Sequence, residues 1–108
     1  MVLKKKSSAD EHKEASKQET EFRSQARRNR LLGLWLAEKL GLEGEDAVAY
    51  AREVVAADLD EPGHEDVMRK VMADVEAKGL GLTREEILVE MDNLMVVARK
   101  QIEQEGAR

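Results

Sequence analysis

A histidine set among four carboxylates, Asp60, Glu61, His64, Glu65 and Asp66, is the first place in this chain where residue types and spacing suggest chemistry, either hard-cation binding or proton transfer. The setting argues against it. These residues fall in a turn and in the first turn of a helix, where Asp and Glu serve the helix dipole, and the paired-histidine spacing of a zinc hydrolase is missing. Gly41-Leu42-Glu43-Gly44 lacks the length and the Lys-Ser/Thr ending of a phosphate loop. No hydroxyl or thiol nucleophile stands beside a base, and there is no cysteine to supply a thiolate. The expectation is a protein that is not an enzyme, with no metal and no resident cofactor.

The remaining chemistry is charge. Residues 1–30 hold nine Lys/Arg against five Asp/Glu, a balance of +4, whereas residues 31–108 hold nine against eighteen, a balance of -9. A basic arm on an acidic body is the simplest reading. As a nucleic-acid footprint the arm is weak, because Asp10, Glu11, Glu14, Glu19 and Glu21 interleave with Lys13, Lys17, Arg23, Arg27 and Arg28, and no stacking aromatics accompany them. No nucleic-acid partner is expected.

These residues need elements to position them. With 108 residues, aromatics limited to Phe22, Trp35 and Tyr50, and Pro62 as the one proline, the chain favours a single all-helical core. Ser8 and Glu11 have the spacing of a capping box, which predicts a first helix from about Ala9 to Leu40, ended by Gly41 and preceded by an unstructured lysine-rich start. Between Asp10 and Glu21 its only apolar side chain is Ala15, so this half has nothing to dock and is expected to be mobile. From Phe22 onward Phe22, Ala26, Leu32, Trp35, Leu36 and Leu40 recur at helical intervals, which assigns this half to the body.

Three more helices are predicted over Asp46–Ala57, His64–Lys78 and from Thr83 onward, the last opened by a Thr83–Glu86 capping box. Asp58 to Gly63 is a turn, and Gly79-Leu80-Gly81-Leu82 the loosest joint. Met68, Met72, Met91 and Met95 align with valine, isoleucine and leucine and read as core. The fold class is therefore all-α, a four-helix bundle whose long first helix has a mobile N-terminal half. Residues 1–21 form the mobile basic arm and residues 22–108 the four-helix body. No stretch is apolar enough to insert directly into a membrane, and no leader is recognisable, so a cytoplasmic location is expected.

The stretch Phe22-Arg23-Ser24-Gln25-Ala26-Arg27-Arg28-Asn29-Arg30-Leu31-Leu32-Gly33-Leu34-Trp35 closely resembles the core motif of the zeta subunit family, the inhibitor of the F-type ATP synthase in alphaproteobacteria. Ala49 to Val55, Gly63 to Val71 and Met91 to Ala98 resemble that family's later segments in the same order. The resemblance implies a regulatory inhibitor whose arm enters the interface of alpha, beta and gamma subunits in the catalytic head and restrains ATP hydrolysis. It also implies a position peripheral to the inner membrane when bound, and weak ATP or ADP binding at a site no motif assigns.

Asp10, Glu11, Lys13, Glu14, Lys17, Phe22, Arg23, Arg27 and Arg28 are the partner-binding residues it implies. Where family arms resemble Lys-Phe-Ala-x-Asp-Glu, this chain reads Lys13-Glu14-Ala15-Ser16-Lys17-Gln18-Glu19, so a carboxylate replaces the aromatic anchor and weaker docking is expected. The alternative is a non-inhibitory family member that senses nucleotide or binds another protein through the bundle.

Overall fold

The structure, a computed structural model, describes residues 2–58 and 64–106, with side chains from residue 17 onward. Its elements are α1 (Val2–Lys39), α2 (Gly44–Ala57), α3 (Glu65–Lys78) and α4 (Arg84–Gly106). No strand occurs among the described residues, and the all-α, four-helix expectation holds.

α1 starts earlier than the capping signal predicts. Ser8 lies inside the helix instead of at its start, because neither proline nor glycine interrupts residues 2–32 and strong helix formers dominate them. The turn expected over residues 58–63 falls, beyond Asp58, outside the described residues.

α1 is the spine. α2 packs on one flank and α4 on another, while α3 lies against α2. One core draws on all four helices: Leu32, Leu36 and Ala37 from α1, Tyr50 and Val54 from α2, Val67, Met68, Val71 and Val75 from α3, and Ile87 and Met91 from α4. Met72 packs against this cluster from its edge and Met95 is half-buried, so the methionines serve as filler. Each large side chain buried here contributes about 1.5–3 kcal/mol before the entropy of ordering is set against it.

Local signals place the joints. Thr83 and Glu86 cap each other: the Glu86 amide donates to Thr83 Oγ1 at 3.1 Å and the Thr83 amide to Glu86 Oε1 at 3.3 Å. Gly79, at a φ of 64°, adopts the left-handed conformation that lets its own amide reach Glu76 O and the Leu80 amide reach Val75 O. The same pair of bonds recurs after α1, from the Gly41 amide to Glu38 O and from the Leu42 amide to Ala37 O. Leu80 and Leu82 pack against the core, so the joint that composition marks as loosest is held by two leucines.

Candidate partner interface

From residue 17 to residue 30, α1 divides into a side bound to its own body and a side left to solvent. Lys17, Gln18, Glu19 and Thr20 are all exposed. Glu21 is tied to the body: its carboxylate accepts from Arg99 Nη2 on α4 at 2.6 Å. One and a half turns later Arg27 reaches back to α4, donating through Nη1 and Nη2 to the two Glu105 oxygens at 2.8 and 2.9 Å and through Nη1 to Gln101 Oε1 at 2.8 Å. The bond to Glu105 raises the Arg27 guanidinium above its ordinary value, and the bond to Glu21 does the same for Arg99. The two pairs pin the last turns of α4 to this part of α1.

Arg28 is held differently. Its Nε and Nη2 donate to Asn29 Oδ1 at 3.1 and 3.0 Å, and Asn29 Nδ2 donates in turn to Asp58 Oδ2 at 3.0 Å where α2 ends. Burial lowers the Arg28 guanidinium from its ordinary value, against the opposing fields of Asp58 and Asp92. Asn29 and Ser24 are fully buried, and Ser24 satisfies its hydroxyl on Thr20 O at 2.9 Å. Neither was a candidate from sequence; a short polar residue between arginines carries no periodic signal of its own.

The solvent side carries Phe22 and Arg23. Phe22 is 72% exposed, which corrects its placement on the apolar face of the body. α2 ends at Ala57 and α4 occupies the flank of Glu21 and Arg27, so among the described residues no element covers the ring. Arg23 makes an exposed pair with Glu19, one turn back at 3.0 Å, of the kind that contributes little to stability.

Of the nine residues implied as partner-binding, Lys17, Phe22 and Arg23 are exposed, with Phe22 and Arg23 on the open side, whereas Arg27 and Arg28 are engaged with the body. The side chains of Asp10, Glu11, Lys13 and Glu14 lie outside the described residues. Among the described residues no group of three or more His, Asp or Glu side chains converges as a metal site would require, and no helix is long and apolar enough to cross a membrane.

A sequence model of the family described as ATPase inhibitor subunit zeta matches residues 1–101. A solution NMR structure of a protein 50% identical superposes with a TM-score of 0.69, covering 78% of this chain and 95% of that one. Comparison with curated proteins finds no match.

Proposed function

The chain belongs to the ATPase inhibitor subunit zeta family, and from that premise we propose that it binds the catalytic head of a bacterial F-type ATP synthase and restrains ATP hydrolysis, acting as a regulator without catalysis of its own. The body is the anchor, and the arm, residues 1–21, is the inserted element. Its contacts are with the alpha, beta and gamma subunits, which places the protein beside the inner membrane whenever it is bound.

One observation supports this division more than any other. α1 continues N-terminal to the Glu21–Arg99 pair that ties it to the body, and residues 17–20 there are all exposed. A helix without an apolar face gains little from its own fold and is available to a partner's groove, where charge selects the site. The family match runs through this segment from residue 1. Glu14, in place of an aromatic, weakens docking without removing the charged contacts.

Titrating the purified full chain into the ATP synthase of the same organism tests the reading. Hydrolysis should fall, and a chain lacking residues 1–20 should lose the effect while its circular dichroism still reports a folded body. Full-length protein that leaves hydrolysis unchanged, yet whose amide resonances shift with ATP or ADP, would transfer the function to nucleotide sensing by the bundle.

A further inference from the structure

Between α1 and α2 lies an open groove of about 460 Å³, lined by Arg30, Val48, Ala51, Arg52, Val55 and Ala56. Its floor is apolar, and Val48 at its edge is 39% exposed. Its rim is basic on a body that is otherwise acidic.

The two rim arginines stand apart from the rest. Arg23, Arg27, Arg28, Arg69, Arg84 and Arg99 each donate to a side-chain acceptor in this chain. Arg30 and Arg52 are exposed and have no hydrogen-bond or ion-pair partner among the described residues, although residues 31–108 carry eighteen carboxylates. Two unpaired guanidinium groups framing an apolar floor complement an apolar side chain flanked by carboxylates. Phe22 and Ala26 precede Arg30 at four-residue intervals along α1, so the exposed ring lies on the same ridge and leads from the arm toward the groove.

We propose that the α1–α2 groove is the anchoring surface of the body, and that it receives an acidic amphipathic helix of the ATP synthase head, an apolar residue seated on Val48, Val55 and Ala56 with carboxylates one turn either side on Arg30 and Arg52. This rests on the reading that the chain binds that head, and adds a contact that does not involve the arm. A groove between helices takes a helical ridge more readily than an extended strand, whose side chains alternate faces.

The test uses the full chain and the purified head, with affinity read by biolayer interferometry. R30E/R52E should bind about tenfold or more weakly than wild type, and R30Q/R52Q should fall between them, since the charge sign decides the contact. The thermal midpoint should stay at the wild-type value in both, because neither arginine has a hydrogen-bond or ion-pair partner to lose among the described residues.

Wild-type binding with unchanged affinity in both variants overturns the groove assignment and leaves the functional reading intact. Failure of wild type to bind the head overturns both. Displacement of the bound chain by millimolar ATP or ADP, together with shifts at the Arg30 and Arg52 amides in the free protein, would make the groove a small-anion site and overturn the assigned partner.

Discussion

Gly33 on α1 faces Ala51 on α2 so closely that a Cβ built on the glycine would sit 2.6 Å from the Ala51 Cα. The obstacle is backbone, which cannot rotate away as a side-chain end can. In a solvent-facing helix Gly→Ala would gain roughly 1 kcal/mol of helix propensity, whereas overpacking costs roughly 1–3 kcal/mol. Gly33→Ala is therefore expected to destabilise the body by about 1 kcal/mol, the difference between mid-range values of the two, read as a lower urea midpoint at unchanged slope. A raised midpoint would mean that α1 and α2 separate without cost.

The crossed pairs Glu21–Arg99 and Arg27–Glu105 close the end of the α1–α4 contact. Both are partly solvated, so together they contribute about 1 kcal/mol, with the two-pronged Arg27 contact the larger share. Arg27→Gln with Arg99→Gln should speed hydrogen exchange at amides 21–27 by about fivefold and leave amides 32–37, under Leu32 and Leu36, as slow as in wild type. Uniform acceleration along α1 would show that the ties hold the whole bundle.

Thr83 and Glu86 satisfy each other at the start of α4. Thr83→Ala should cost about 1 kcal/mol in thermal or urea unfolding and Thr83→Ser much less, because serine retains the accepting oxygen. Equal losses from the two variants would locate the contribution in the threonine methyl instead.

That cap is legible in the sequence, as are the glycine ends of α1 and α3 and the apolar faces of α2 to α4, because each signal is local and repeats within a turn or two. The residues that lock α1 in place are not. Ser24, Asn29 and Gly33 interrupt the apolar pattern, and their roles exist only once the rest of the body packs beside them, α2 against Gly33 and the end of α2 against Asn29. Arg23 and Arg27 are alike in sequence; the angle at which α1 meets α4 leaves one in solvent and the other on Glu105. The stretch that carries the family resemblance consequently does more to pack the body than to display a surface. Phe22 marks the opposite case, fitting the helical period but lying where no described element remains to cover it.

Alkaline pH should find the α2–α3 contact first. Tyr50 donates to Asp74 Oδ2 at 2.6 Å, and Lys70 bridges Asp74 at 3.0 Å and Glu53 at 3.1 Å. Burial, then the bond to Asp74, pushes the Tyr50 phenol well above its ordinary value. For Lys70 burial pulls the ammonium down, but the bonds and charges of Asp74 and Glu53 outweigh it and leave the group raised. Both groups hold a proton more tightly folded than unfolded, so their contribution is complete below about pH 10 and is lost as pH rises through the folded values. Urea midpoints taken from pH 8 to 11 should be flat and then fall, and Tyr50→Phe should flatten part of the fall. An equally steep fall in Tyr50→Phe would assign it to other groups.

Phe22 separates stability from function more cleanly than any other residue. A ring 72% exposed contributes little to the fold, so Phe22→Ala should leave the thermal midpoint within a degree or two of wild type. The same ring sits where the arm joins the body, beside the exposed Arg23, on the side of α1 that the body leaves open. An aromatic there is suited to become a buried anchor on a partner, and its truncation then costs about 2 kcal/mol or more, roughly thirtyfold in affinity. Measured against the ATP synthase head, Phe22→Ala should raise the concentration for half-maximal inhibition by about that factor, and Phe22→Leu by less. If both variants inhibit as wild type does, the ring remains in solvent in the complex, and the contact between arm and head must begin N-terminal to Phe22.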